Sequence, residues 1–195
     1  MVTYMYVGPL RGELRVPVDP NRIGVLIGNK GRIKKKIEEA LNVKLEVDSE
    51  GSFVKILPKE GTTIMNLLRT KDFVRAISYG FSPERAFRLL DESQVLDVIN
   101  LKEITKNRED MKRIKGRVIG KNGKARTMIE DLTGTYISVY DKYIAIIGDS
   151  EQVRVAREAI MMLIRGRQHR TVYNFLRREY RRLRERKYQL WEPEF

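Results

Sequence analysis

The sequence predicts an α+β fold built from two copies of one module, each running strand–helix–helix–strand–strand–helix. Three observations predict it. A Gly-x-x-Gly segment stands at Gly28-Asn29-Lys30-Gly31 and again, 92 residues on, at Gly120-Lys121-Asn122-Gly123. Each copy follows an apolar pair, Leu26-Ile27 or Val118-Ile119, and precedes a basic run with helical spacing. The flanks repeat at the same offset: Gly24 meets Gly116, Ile37-Glu38 meets Ile129-Glu130, and Val47 meets Val139. A lone Gly-x-x-Gly occurs by chance about once in a chain this long, since glycine is ~7% of residues. Two copies with shared flanks do not.

Each element has a local reason. Residues 13–18 alternate polar and apolar, as a half-buried strand does, and Pro17 confines that strand to a sheet edge. Asp19 caps a helix with Pro20 at its first position. Gly24 and then Gly28 are expected to interrupt it. A second helix after Gly31 sets Ile33, Ile37 and Leu41 on one face, and Arg32, Lys34, Lys35 and Lys36 on the other. Strands follow at 43–47 and 52–57, joined by the turn Asp48-Ser49-Glu50-Gly51 and closed by Pro58. Thr62 or Thr63 starts a long helix whose inward face is read as Ile64, Leu67, Leu68, Val74 and Ile77, with Gly80 as its stop.

Ser82-Pro83-Glu84 starts a short connecting helix across 81–95. The second pass gives a strand over 95–104, a charged helix over 108–119 and a helix over 123–132 with Ala125, Ile129 and Leu132 inward. A strand at 136–140, the tight turn Asp141-Lys142 and a strand at 143–147 come next. Asp149 or Ser150 then caps a helix with Val153, Ala156, Ile160, Leu163 and Ile164 inward. A final helix sets Val172, Leu176, Tyr180 and Leu183 on one face. The domain reading is 1–80, a connecting helix 81–95, 96–165, and a basic helix and tail 166–195.

Composition narrows the function. The 195 residues carry a net charge of +13 with 42% hydrophobic residues, enough for real cores and an attraction for polyanions. The excess is uneven: residues 165–187 hold ten Arg or Lys against Glu179 and Glu185, or +8 of the +13. No cysteine is present, so neither a disulfide framework nor a thiolate metal site is expected. No apolar run approaches the ~20 residues of a membrane span. The N-terminus, MVTYMYVGPLRGEL, lacks a charged start followed by an apolar stretch, so it does not read as a secretory signal. The expected location is the cytoplasm. His169, the one histidine, reads as solvated surface. No clustered carboxylates, metal-ligand set or Walker loop points to an enzyme or a cofactor.

The loops suggest a different chemistry. A glycine pair lets another backbone approach closely. The helix starting at the second glycine offers unpaired N–H groups and a positive dipole end to a phosphate. Lys30 and Lys121 add charge at the rim. Leu26, Ile27, Leu45 and Val47 in one copy, and Val118, Ile119, Ile137 and Val139 in the other, are candidates for a groove floor under bases. The candidate RNA contacts are therefore Arg117, Val118, Ile119, Gly120, Lys121, Asn122, Gly123, Lys124, Arg126, Ile137 and Val139. From the first copy come Gly28, Asn29, Lys30, Gly31 and Arg32. On the tail, Arg177, Arg178, Arg181 and Arg182 are candidate phosphate contacts, and Trp191 reads as packing.

With IGNKG and IGKNG set in this strand and helix order, the chain resembles tandem KH domains of the first type, which clamp about four nucleotides of single strand. YGFSPERAFRLLDE, GRVIGKNGKARTMIEDLTGTYISV and IAIIGDSEQVRVAREAIMMLIRG are similar to archaeal members of the Partner of Nob One, or Dim Two, family. That resemblance implies a non-catalytic factor in small-subunit ribosomal RNA maturation, bound near the RNA 3′ end beside a Nob One-like nuclease. It implies that the second module is the main RNA reader and the first is freer to bind protein. The intact Gly28-Asn29-Lys30-Gly31 departs from eukaryotic members, which are more degenerate there. Two other classes are a ribonuclease and a protein adaptor whose tail alone touches RNA.

Overall fold

A computed structural model describes residues 12–48, 50 and 52–189, with side chains to 185. Residues 1–11, the Ser49 and Gly51 of the expected turn, and Trp191 lie outside the described residues. The chain forms two compact units that meet between Asp91 and Glu92.

In the first unit β1 (Leu14–Pro17), β2 (Val43–Asp48) and β3 (Phe53–Pro58) form an antiparallel sheet of order β1-β3-β2. Pro17 pairs with Phe53 on the edge strand, where its missing N–H breaks no ladder. The helices are α1 (Pro20–Ile27), α2 (Arg32–Ala40) and α3 (Ile64–Ser78). Asp19 caps α1 by accepting from the Asn21 N–H, and Thr63 caps α3 by accepting from the Asn66 N–H. Gly24 does not interrupt α1 as expected. It stays helical, and its carbonyl accepts from the Gly28 N–H at 2.9 Å. Leu26, Ile37, Leu45, Ile56, Phe73 and Ile77 are fully buried between sheet and helices.

After α3 comes α4 (Pro83–Ala86), which continues as a 3₁₀ turn over Phe87–Leu90. The expected connecting helix thus belongs to the first unit: Ala86 and Leu89 are buried, and the Phe87 ring lies 5.1 Å from that of Phe73.

The second unit repeats the plan with β4 (Gln94–Asn100), β5 (Tyr136–Tyr140) and β6 (Tyr143–Asp149) in the order β4-β6-β5. Its helices are α5 (Arg108–Ile119), α6 (Lys124–Thr133), α7 (Ser150–Ile164) and α8 (His169–Gln189). β4 is shorter than the expected 95–104. The Asn100 side chain accepts from the Lys102 N–H, turning Leu101–Glu103 into a 3₁₀ turn. Ile129, Ile137, Ile144, Ile146, Ile160, Leu163, Val172 and Leu176 share one core, so the basic helix α8 is docked on its own module.

Both closing helices end alike. The N–H groups of Gly80 and Phe81 donate back to Ile77 and Ala76, and those of Gly166 and Arg167 to Leu163 and Met162. This is a Schellman turn, and it needs the positive φ of Gly80 (93°) and Gly166 (86°). An arginine from the module's first helix completes each end. Arg22 Nε donates to Ile77 O and its Nη2 to Phe81 O; Arg117 Nε donates to Leu163 O and its Nη2 to Arg167 O.

Two inward faces need correction. On α3, Leu67, Val74 and Ile77 are buried, but Ile64 and Leu68 are 49% and 42% exposed. Ile64 and Leu68 share a flank of α3 that the core does not cover, so helical spacing alone misassigns them. On α8, Tyr180 faces out while Val172 and Leu176 are buried and Leu183 packs beside them.

Candidate nucleic-acid interface

The two loops share one geometry. The first glycines sit at φ 71°, ψ 176° (Gly28) and φ 73°, ψ 176° (Gly120). The third residues are left-handed, Lys30 at φ 51°, ψ 30° and Asn122 at φ 52°, ψ 32°. The last glycines are also left-handed, at φ 76° (Gly31) and φ 79° (Gly123). The N–H groups of Gly31 and Gly123 turn back onto the Gly28 and Gly120 carbonyls at 3.2 Å, which closes each loop.

The glycines of a pair do different jobs. A Cβ on Gly120 would sit 2.6 Å from Ala125 Cβ and 2.8 Å from its nitrogen; one on Gly28 would overlap the Ile33 side chain. These first glycines let the loop lie against the next helix. A Cβ on Gly31 or Gly123 would meet nothing within 4 Å. That side of the loop is open to a ligand.

The helices after the loops are left uncapped. α1, α3, α5 and α7 each start at a side chain that accepts from a first-turn N–H, namely Asp19, Thr63, Asn107 and Asp149. α2 and α6 start at Gly31 and Gly123 with no side-chain cap. No side chain covers these helix starts; the N–H groups of Arg32 and Lys124 donate to the loop's own Asn29 and Lys121 carbonyls, and the positive dipole end of each helix stays open to an anion. Lys121, Asn122 and Lys124 are exposed at one mouth, and Asn29, Lys30 and Arg32 at the other.

An edge strand lies beside each uncapped helix. Glu38 Oε1 accepts from the Leu45 N–H, and Glu130 Oε1 from the Ile137 N–H, both at 2.7 Å. Lys34 and Arg126 sit one turn before these carboxylates, each 3.8 Å away. The repeated Ile-Glu pair in the sequence was the signal for this strap, though its role was not legible there. An antiparallel strand alternates its outward groups, so the N–H and C=O of Val47 and Val139 face the same open edge as Leu45 and Ile137.

The structure corrects several candidates. Val118 and Ile137 are buried in the second unit, and Leu26 and Leu45 in the first, so none of the four forms a groove surface. Their neighbours Ile27, Val47, Ile119 and Val139 remain partly exposed. The Cβ direction of Gly120 is filled by Ala125, and the Arg117 guanidinium is engaged by the end of α7. Arg126 is half-buried beside Glu130, and its Nε has no hydrogen-bond partner. His169 is not plain surface: its Nε2 lies 2.9 Å from Arg117 O.

On α8, Arg178 and Arg182 pair with Glu179 at 3.4 and 3.1 Å. Arg177 and Arg181, one turn apart and exposed, form no ion pair among the described residues. No group of three or more acidic or histidine side chains among the described residues could hold a metal ion. No helix there is long and apolar enough to cross a membrane.

Two βααββα modules, each with a Gly-x-x-Gly loop between its first two helices, define a tandem KH-domain protein of type I. Comparisons agree. Residues 95–181 match the family model of the second KH domain of PNO1, a eukaryotic-type (type I) KH domain, and residues 13–65 match that of the KH domain. The KH domain-containing protein MJ0443 of Methanocaldococcus jannaschii is 42% identical over 92% of this chain and 78% of its own length. The pre-rRNA-processing protein PNO1 of Coccidioides immitis is 31% identical over 88% of this chain and 69% of its own. The crystal structure of Dim2p from Pyrococcus horikoshii is 43% identical with a TM-score of 0.81, covering 86% of this chain and 99% of that one. A chain of the P. horikoshii a/eIF2alpha–aDim2p–rRNA complex is 42% identical with a TM-score of 0.82, covering 87% and 94%. The chain belongs to the PNO1/Dim2 family.

Proposed function

We propose that this chain binds single-stranded RNA through its two Gly-x-x-Gly loops and serves as a non-catalytic factor in small-subunit ribosomal RNA maturation, near the RNA 3′ end. The observation that carries it is the pair of uncapped helix starts behind loops whose last glycine faces open space. A phosphate at Gly31 or Gly123 would lie at the positive dipole end of α2 or α6, with Lys30 or Lys121 adding charge. Bases would lie along the Ile119 and Val139 side, within reach of the Val139 edge groups. Arg177 and Arg181 would track the backbone without reading sequence. The ribosomal RNA target is supported by the pre-rRNA-processing relatives and the rRNA complex of the Pyrococcus Dim2p. A Nob One-like nuclease as partner and a cytoplasmic location follow from the same family reading.

The test is a fluorescence titration of the full chain, and of the chain with Arg177, Arg178, Arg181 and Arg182 changed to Gln, with short single-stranded RNAs; the exposed arginines are neutralised while Val172 and Leu176 stay in the core. Base preference is expected to survive the change, while overall affinity falls. Loss of all binding in that variant would favour a second reading, a protein adaptor that touches RNA through α8 alone. The exposed Ile64, Met65 and Leu68 on the first module favour that reading.

A further inference from the structure

The first module carries a second feature beside its loop. A cleft of about 520 Å³ is lined by Asn29 of the loop, Arg32, Ile33 and Lys36 of α2, and Glu84 and Phe87 after α3. Its size falls within the roughly 300–1,000 Å³ of small-molecule sites. Helical spacing puts it on the flank of α2 away from Lys34 and Glu38, and so away from the edge strand.

The lining is specific in its chemistry. Arg32 and Lys36 are one turn apart and adjacent on the surface. Arg32 has no acidic partner among the described residues. The Phe87 ring is anchored by Phe73, and Lys36 Nζ stands 4.2 Å from its centroid. Two cations, an aromatic face and an apolar Ile33 are what a nucleotide needs: charge for phosphate, a plane for the base. Glu84 adds an acceptor at the rim. Its own backbone N–H and the Ser82 hydroxyl hold its carboxyl below the usual range, so it stays ionised.

We infer that this cleft is a nucleotide subsite for the strand held on the first loop. Lys36 Nζ leaves the Phe87 ring to hold one phosphate with Arg32, the base takes its place against Phe87 and Ile33, and Glu84 accepts from an exocyclic amine. Adenine or cytosine is then favoured over uracil, which has no such amine. The subsite rests on the reading that Gly28–Gly31 holds RNA backbone. The second module has no equivalent: Met128 replaces Lys36 at the matching position, and the helix after the Gly166 turn is the 21-residue α8.

The experiment uses the full chain carrying Lys121→Asp, Asn122→Asp, Arg177→Gln and Arg181→Gln, so that the second loop and the α8 arginines are silenced and the first module reports. Labelled tetramers and octamers of oligoadenylate and oligouridylate are titrated. The adenylate octamer is expected to bind about tenfold tighter than its tetramer, in line with ~1–3 kcal/mol per stacked base. Lys36→Gln with Glu84→Gln should remove most of that gain and the adenine preference while leaving the tetramer unchanged. The subsite is overturned if the gain and the preference survive in that variant, or in Phe87→Leu. It is also overturned if a glutamate-rich peptide occupies the cleft while RNA length has no effect. If no oligonucleotide binds at all, the first loop holds no RNA, and that reading fails together with the subsite.

Discussion

His169 Nε2 lies 2.9 Å from the carbonyl oxygen of Arg117, while the Arg117 guanidinium reaches two carbonyls at the end of α7. One residue thus joins three helix ends. The Arg117 carbonyl belongs to the last turn of α5, just before the Gly120 loop, and α5 turns away before it can pair in the usual way. His169, the first residue of α8, supplies the missing donor. The basic helix is tied to the backbone that leads into the second loop.

This arrangement predicts how Arg117 and His169 respond to substitution. Removing the Arg117 side chain should cost about 1–3 kcal/mol in a denaturant titration, because it strips a charged donor from two carbonyls. Arg117→Lys should not restore it, since a single ammonium cannot span both acceptors as a planar guanidinium does. His169→Ala should cost about 1 kcal/mol. If Arg117→Ala leaves stability unchanged and only flattens the salt dependence of RNA binding, its role is phosphate contact instead.

The loop glycines should separate cleanly. Gly120→Ala forces a Cβ into Ala125 and is expected to destabilise the second module by roughly 2–4 kcal/mol, from overpacking and the positive φ together. Gly123→Ala meets open space and should cost only about 1 kcal/mol, from φ alone. Its larger effect is expected on RNA affinity. Melting curves and titrations on the two variants check this; equal melting losses would contradict the division of labour.

Lys121→Asp with Asn122→Asp sets two carboxylates where the phosphate is expected. Both side chains are exposed, so melting should stay near that of the unaltered chain. Specific RNA binding should fall at least about tenfold, consistent with reversing charge at a charge-assisted contact worth ~1.5–3 kcal/mol. Unchanged affinity would show that the second loop is not the clamp.

On α8, Arg177→Gln with Arg181→Gln should lower the slope of log affinity against log salt by about 1.4, given ~0.7 per phosphate for single strands. Base preference should not move. The same change at Arg178 and Arg182, which pair with Glu179, should have a smaller effect. A shifted base preference with an unchanged slope would argue against backbone tracking.

Much of this architecture was legible because it depends on short-range rules. Asp19, Thr63 and Asp149 cap helices where a cap followed by helical spacing says they should. Gly80, near a helix end, meant a left-handed stop. What failed was reading which apolar or basic residue faces where. Ile64 and Leu68 fit the α3 stripe yet lie past the rim of the core. Val118 and Ile119 are adjacent in sequence, and only packing decides that Val118 is core and Ile119 is partly open.

By itself the sequence determined the doubled module, the two glycine loops and the concentration of positive charge at one end. These follow from periodicity, from glycine's freedom at positive φ and from counting charges, none of which needs a distant neighbour. Tertiary structure decided the rest. It placed the connecting helix in the first unit, gave Arg22 and Arg117 the same two-carbonyl task from different positions on their helices, and let Glu38 of α2 and Glu130 of α6 accept from the edge strands. The physical reason is that an arginine or glutamate carries the same charge in either role. Whether it meets an RNA phosphate or a buried helix end depends on which groups folding leaves without partners nearby.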